Sequence, residues 1–117
     1  MKALQINAEV LTTTGLNIPA GAVVVINEFL TQPFQEKQGN IPVQIGISTF
    51  VNKEAYESGK SEVATVSSYN SLLTCNITPD EYSTIPCETL AVLEVQDVLE
   101  FLYPGNVVVI DVVKPTV

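Results

Sequence analysis

Apolar and polar residues alternate along several stretches of the chain, which is the pattern of half-buried β-strands. Within residues 2–11 every second position from 4 to 10 is apolar: Leu4, Ile6, Ala8 and Val10. This spacing predicts a strand over 2–11. The sequence Ile18-Pro19-Ala20-Gly21 predicts a turn. The unbroken apolar run Ala22–Ile26 that follows predicts a strand covered on both faces. The polar residues 31–40, with Pro33 and Gly39, predict an exposed loop.

The alternation returns at residue 41 with the apolar positions Ile41, Val43, Ile45, Ile47 and Val51. These predict a further strand with one buried face. The polar segment that follows opens with Asn52 and ends at Gly59, which favours one helical turn between a capping residue and a glycine stop. Residues 61–76 are rich in Val, Thr, Ser and Tyr and predict one long strand or two short ones.

The sequence Thr78-Pro79-Asp80-Glu81 predicts the start of a short helix at 79–84. Thr78 is suited to cap it, Pro79 occupies the first helical position, and the Glu81 side chain can reach back to the cap. Ile77 and Tyr82 are spaced for a hydrophobic staple across this cap. Pro86 ends the short helix.

Residues 88–102 predict a longer helix, because the segment is long and rich in Leu and Glu. Its apolar face comprises Val92, Val95, Leu99 and Leu102. A strand is the alternative, since Leu93, Val95, Leu99 and Phe101 also alternate. After Pro104-Gly105-Asn106, the run Val107–Val113 predicts a buried strand, and 114–117 a flexible tail.

These elements predict one α+β domain over residues 1–117 that is mainly β. We expect an antiparallel sheet or small β-sandwich of about five to six strands, with the helix at 88–102 packed on it and the short helix at 79–84.

The residue inventory excludes several chemistries. The 117 residues include no histidine and no arginine, and thirteen acids against five lysines give a net charge of −8. A Ser–His–Asp triad and an imidazole metal site are therefore impossible, and the charge opposes binding to nucleic acid or to an acidic membrane surface. We expect no enzyme, no cofactor and no metal. A carboxylate-dependent hydrolase is the remote alternative.

The N-terminal segment and the cysteines predict an intracellular protein. Asn7 and Glu9 interrupt any apolar signal core, and the longest apolar runs are too short to span a bilayer. Cys75 and Cys87 are expected to be reduced thiols, with a bridge between them as the alternative.

The surface composition favours protein–protein contacts. Only 15% of the residues are charged, and the mean hydropathy is +0.29. Much of the surface of so small a domain must then be apolar or neutral, as in interfaces. We therefore expect an assembly subunit and a homo-oligomer.

The segment 52–60 contains the candidate contact residues. Tyr56, flanked by Glu54 and Glu57 and followed by Lys60, has the composition of an exposed aromatic anchor with a polar rim. Glu54 and Glu57, with Glu62, are also a candidate acidic patch for a basic partner. A solvated loop that caps the sheet edge is the alternative.

Three segments, Gly15–Ile26, Ser48–Val63 and Leu99–Asp111, together resemble small structural proteins of tailed bacteriophages. In those proteins a strand pair, an aromatic-x-x-Gly-Lys loop and a helix–Gly-Asn–strand ending are common. The resemblance implies a non-enzymatic component of the virion head, neck or tail, made in the host cytoplasm and bound to itself or to other virion proteins. A small cytosolic module that binds a peptide or small molecule is the alternative function.

Overall fold

The computed structural model of the chain describes residues 1–11, 15, 17–60, 63 and 72–115. The elements in these ranges are β1 (Lys2–Ile6), β2 (Val10–Leu11), β3 (Asn17–Ile18), β4 (Ala22–Thr31), β5 (Ile41–Phe50), α1 (Lys53–Glu57), β6 (Leu72–Ile77), α2 (Pro79–Thr84), α3 (Cys87–Leu102) and β7 (Val107–Asp111).

Five strands form the main sheet in the order β6-β5-β4-β1-β7, and β2 pairs with β3 in a separate two-stranded sheet. All neighbouring strands are antiparallel. The prediction of an α+β, mainly β fold with an antiparallel sheet is therefore confirmed.

The main sheet buries apolar side chains on both faces. On one face Leu4 and Val24 pack in a cluster with Leu99 of α3. Their chain neighbours Ala3 and Val23 belong to a second cluster, which includes Tyr56 of α1. Because successive side chains of a strand point to opposite faces, α3 and α1 lie on opposite sides of the sheet. The expectation that the run from Ala22 is covered on both faces is confirmed.

The pairing of β4 with β5 contains a bulge between Ile26 and Glu28, opposite Gly46. A Cβ atom on Gly46 would lie 2.5 Å from the Asn27 side-chain oxygen and 2.9 Å from the Glu28 Cβ. Glycine is therefore required at this position, because Asn27 and Glu28 come too close to the backbone to leave room for a Cβ atom. Beyond the bulge β4 continues to Thr31, past the apolar run, with mostly exposed residues.

The predicted capping of the short helix is confirmed. The Thr78 hydroxyl accepts a hydrogen bond from the Glu81 N–H at 3.1 Å, and the Glu81 carboxylate accepts one from the Thr78 N–H at 2.9 Å. This is the predicted capping box at the start of α2. None of the α2 residues is buried, so Tyr82 adds nothing to the core.

The segment predicted as helix or strand is the helix α3, and the strand alternative is wrong. The buried face of α3 comprises Leu90, Ala91, Val92, Val95 and Leu99. Leu93 and Phe101 are exposed, as a helix with this buried face requires. No helix in the described ranges is long and apolar enough to cross a membrane.

Three strand predictions need correction. The strand from Ile41 ends at Phe50, and Val51, which was predicted on its buried face, is 41% exposed. The strand expected over 2–11 is divided, because the chain leaves the main sheet after Ile6 and Val10 pairs with Ile18 in the small sheet. The last strand was expected to be buried, but β7 is an edge strand, and Val108 and Val109 are each 40% exposed. Residues 61–62, 64–71 and 116–117, including parts of the predicted strand at 61–76 and of the tail, lie outside the described residues.

Candidate protein-contact surfaces

The candidate residues at 54–60 lie on and just after α1. The Asn52 side chain accepts a hydrogen bond from the Ala55 N–H at 2.7 Å and caps this helix. Gly59 follows with a φ of +79°, a left-handed conformation that glycine adopts without strain. The helical turn predicted between Asn52 and Gly59 is thus confirmed.

Tyr56 is a core residue, so the prediction that it is an exposed anchor is wrong. Only 7% of it is exposed. Its ring packs edge-on against Phe50, with centroids 5.0 Å apart, and its hydroxyl donates to the Met1 sulfur at 3.5 Å. Burial raises the pKa of Tyr56. Helix α1 has five residues, and Tyr56 is the buried one. Its ring therefore covers this face of the sheet.

Glu57 is also engaged within the chain. Its carboxylate accepts a hydrogen bond from the backbone N–H of Val113 at 2.8 Å, and a Cβ on Gly59 would lie 3.8 Å from Pro115. Glu54 and Lys60 are exposed. Of the four candidates, Tyr56 and Glu57 therefore hold α1 in place, and Glu54 and Lys60 face solvent. Glu62 lies outside the described residues.

Residues 57–59 lie beside residues 113–115 through these contacts. The exposed valines and lysines of segments 51–60 and 113–115 are here called the α1 patch: Val51, Lys53, Lys60, Val113 and Lys114. Val113 is 70% exposed. Apart from Lys60, none of these residues was among the predicted contact residues, because the two segments are distant in the sequence.

A second exposed surface lies on the outer side of α3. Leu93, Asp97 and Phe101 are spaced four residues apart and so share one side of the helix; we call them the α3 stripe. Phe101 is 84% exposed and Leu93 is 46% exposed. The signal for this stripe was present in the sequence, since both apolar residues fall outside the buried face once the segment is taken as a helix.

The helices α2 and α3 are strongly acidic. They contain six acids and no lysine: Asp80, Glu81, Glu88, Glu94, Asp97 and Glu100. Burial raises the pKa of Glu94, and the negative charges of Asp97 and Glu81 raise it further. The α3 stripe therefore lies in a region of negative potential.

The third surface is the outer edge of β7, which pairs with no further strand among the described residues. The Asn7 N–H donates a hydrogen bond to the Asn106 carbonyl, and the Val112 N–H donates one to the Met1 carbonyl. In an antiparallel pair, every second residue bonds to the partner strand, and the residues between them direct their N–H and C=O groups the other way. The backbone groups of Val107 and Val109 therefore point away from the sheet. Lys2 and Asp111 form an exposed ion pair of 2.7 Å across β1 and β7, and this lysine lowers the pKa of Asp111.

Metal-binding groupings are not found among the described residues. They contain no group of three or more metal-ligating side chains, and Cys75 and Cys87 are free thiols. An open groove of about 290 Å³ lies between the start of α3 and the sheet, with Lys2, Glu28 and Glu88 along its wall. These three side chains are mixed in charge and provide no paired nucleophile and base.

Comparisons of the chain with protein-family models, with curated proteins and with solved structures found no match.

Proposed function

We propose that this protein is a non-enzymatic structural subunit that acts through protein–protein contacts in a repeated assembly. The observation that carries the proposal is the exposed apolar α3 stripe, above all Phe101. Large aromatic side chains are usually buried, and an exposed one on a regular, well-packed helix is typical of an interface anchor.

The assembly that we propose is a bacteriophage virion, with the subunit placed in its head, neck or tail. The support for this is the resemblance of Gly15–Ile26, Ser48–Val63 and Leu99–Asp111 to small structural proteins of tailed phages. Synthesis in the host cytoplasm and partners among virion proteins, including further copies of the chain, belong to the same proposal.

A non-enzymatic role is supported by the residue inventory and by where the acids lie. The chain has no histidine and no arginine, which leaves carboxylates as its main acid–base groups. Asp80 and Asp97 are exposed on helices and do not line the groove that contains Glu28 and Glu88, whereas catalytic carboxylates are typically paired across a cleft.

The free edge of β7 favours a second candidate, a module that binds an extended peptide. A peptide can add to an exposed strand through main-chain hydrogen bonds, while the exposed Val109 contacts its side chains. Such a module would remain monomeric and bind peptides with an affinity that Val109→Pro abolishes, because proline removes one outward N–H.

The test of the proposed function is association and incorporation. Sedimentation velocity at micromolar and mass photometry at nanomolar concentration measure whether the full chain forms oligomers, and quantitative mass spectrometry counts its copies in purified phage particles. We expect Phe101→Ser to reduce copies per particle roughly tenfold or more. Phe34→Ser is the matched control, since Phe34 is an exposed phenylalanine of the loop after β4.

Two outcomes contradict the proposal. The first is a chain that is absent from every particle and monomeric at all concentrations. The second is a Phe101→Ser variant that is incorporated as well as Phe34→Ser, which would mean that the α3 stripe makes no contact in the assembly.

A further inference from the structure

Three residues of β7 have backbone groups that face away from the sheet. The hydrogen bonds that join Asn106 to Asn7 and Val112 to Met1 fix the alternation along the strand. It directs the N–H and C=O groups of residues 107, 109 and 111 outward. Within the described residues no further strand pairs with them. Such a row of N–H and C=O groups is a template for another strand.

Carboxylates of the same chain close this row at both ends. The Gly105 N–H donates a hydrogen bond to the Glu100 carboxylate at 3.0 Å, and the Val113 N–H donates one to the Glu57 carboxylate at 2.8 Å. Gly105 lies four residues before Val109, and Val113 lies four residues after it. The row is therefore symmetric about Val109, and a symmetric edge can pair with a second copy of itself around a two-fold axis.

The segment 107–110 lacks the features that protect natural edge strands. It consists of three valines and an isoleucine, with no charge and no proline, and it pairs with β1 in unbroken register, without a bulge. Val108 and Val109 are each 40% exposed, and they lie on opposite faces of the sheet. Exposed β-branched side chains on both faces favour pairing with another strand.

The space beside Val109 is open to a neighbouring strand. A groove of about 400 Å³ is lined by Val109 on β7 and by Thr89 and Val92 on α3. Helix α3 therefore does not fill this side of the strand, and a side chain of a second copy can enter there.

From these observations we propose that two copies of this chain pair their β7 strands antiparallel, around a two-fold axis at Val109. The two five-stranded sheets then form one continuous sheet. Val109 bonds to its counterpart, and Val107 of each copy bonds to Asp111 of the other, while Val108 packs beside Ile110 on the opposite face. This proposal rests on the proposed function, and it names a second copy as one partner and β7 as the contact.

The charges at this edge do not oppose the pairing. Each Asp111 forms an ion pair with Lys2, and pairing around Val109 separates the two Asp111 residues by four positions, about 13 Å along the strands. This exceeds the Debye length of about 8 Å at physiological ionic strength. Glu100 and Glu57 belong to helices on opposite faces of the sheet, and a two-fold axis perpendicular to the sheet keeps them on opposite faces.

Charged substitutions at the axis test the two-fold pairing. Val109→Lys and Val109→Glu each place two like charges directly opposite one another, so we expect either variant alone to dimerise roughly tenfold more weakly than the wild type. An equimolar mixture restores a dimer that contains one copy of each, because opposite charges then face each other. Sedimentation equilibrium measures the dissociation constants, and native mass spectrometry identifies the mixed dimer.

Val51→Lys is the matched control, since Val51 is 41% exposed and lies outside β7. We expect its dimer to be as stable as that of the wild type. The backbone groups of Val109 do not bond to β1, so substitution of its side chain leaves the ladder between β1 and β7 intact. Thermal unfolding confirms that each variant is folded.

Cysteine cross-linking tests the register. Directly opposite Cα atoms in a hydrogen-bonded antiparallel pair are about 5.5 Å apart, which a disulfide can span. In a Cys87→Ser background, which removes the exposed native thiol, Val109→Cys therefore links the dimer on mild oxidation. Val108→Cys is the control, because its two thiols are offset by two residues and their Cα atoms are about 8 Å apart.

The proposal is overturned if the wild type is monomeric at the highest concentration measured, if the mixture dimerises no better than either charged variant alone, or if Val108→Cys cross-links as fast as Val109→Cys. A monomer that binds extended peptides favours the peptide-binding module instead.

The proposed function fails separately, because Phe101→Ser tests the α3 stripe, which the pairing of β7 does not use. A wild type that dimerises, with Phe101→Ser incorporated normally, supports this pairing and contradicts the role of the stripe. A monomeric wild type whose incorporation is lost in Phe101→Ser overturns the pairing and leaves the proposed function standing.

Discussion

The Glu57 carboxylate of α1 accepts a hydrogen bond from the backbone N–H of Val113, 56 residues away, at 2.8 Å. Val113 lies just beyond the edge strand β7, so this bond joins the helix on one face of the sheet to the segment that leaves its edge. Together with the burial of Tyr56, it makes α1 an integral part of the fold.

Glu57→Ala removes the acceptor of this bond. We expect hydrogen exchange of the Val113 amide, measured by NMR, to accelerate, and the free energy of unfolding to fall by about 1 kcal/mol. Glu54→Ala is the control, because Glu54 is an exposed carboxylate on the same helix. Equal exchange of the Val113 amide in both variants would show that the bond does not protect it.

Tyr56→Ala should lower the free energy of unfolding by about 3 kcal/mol, because it leaves a cavity against Phe50 and the sheet. Tyr56→Phe keeps the ring and loses only the hydroxyl contact with the Met1 sulfur, so we expect a cost below about 1 kcal/mol. Urea denaturation measures both. A Tyr56→Ala variant as stable as the wild type would contradict the placement of this ring in the core.

Thr78→Ala should destabilise the protein by about 1 kcal/mol, because the Glu81 N–H loses its acceptor at the start of α2. Thr78→Ser keeps the hydroxyl and is expected to retain most of the stability. Chemical denaturation distinguishes the two. Equal losses for both substitutions would indicate that the methyl group, rather than the cap, stabilises this position.

Gly46→Ala should cost about 1–3 kcal/mol, because the added methyl group meets the bulge at Asn27 and Glu28. Asn27→Gly removes the nearer of the two clashing atoms, so we expect Gly46→Ala to cost less in that background. A double-mutant cycle from denaturation curves gives the coupling between the two positions. Strictly additive costs would mean that Asn27 does not cause the clash.

Burial, the negative charge of Glu94 and the hydrogen bond of the thiol to Glu94 together raise the pKa of Cys75 from 9.0 to about 11. Since the folded-state pKa exceeds the unfolded value, this group stabilises the fold below pH 9 and loses that contribution as the pH rises through about 11. In a Cys87→Ser background, the alkylation rate of Cys75 against pH reports the titration directly.

We expect Glu94→Gln to shift that alkylation profile to lower pH, because two of the three causes of the raised pKa disappear. Glu88→Gln removes an acid elsewhere on α3 and is the control. Identical profiles for the two glutamine variants would show that Glu94 does not act on Cys75.

The features that could be predicted from the sequence are those that depend on neighbours in the chain. The capping box at Thr78 and Glu81, the helix cap at Asn52 and the buried face of α3 each involve residues within one or two helical turns. The fold class also follows, because strand alternation and helix periodicity are local patterns.

What could not be predicted depends on the order of strands in space. The segment Val107–Ile110 is as apolar as Ala22–Ile26, yet one strand lies at the edge and the other at the centre of the sheet. Composition does not distinguish these positions. The burial of Tyr56 was missed for the same reason, because the residues that it covers, Ala3 and Val23, are distant in the chain.

Of the two candidate contact surfaces formed by side chains, the α3 stripe could be predicted from the sequence and the α1 patch could not. The spacing of Leu93 and Phe101 already places both outside the buried face of the helix. The α1 patch combines Val51 and Lys53 with Val113 and Lys114, and only the tertiary fold makes them neighbours.

The pairing of β1 with β7 has a consequence for folding kinetics. These strands pair along five residues, from Lys2 with Asp111 to Ile6 with Val107, across about 100 residues of intervening chain. Closing so long a loop is entropically costly, and folds rich in such distant contacts form slowly. On the ribosome β1 can pair with β4 early, but its other edge stays open until residues 107–111 emerge. During synthesis we therefore expect β7 to dock after β1 has paired with β4, and until then the open edge of β1 is available for wrong strand pairing.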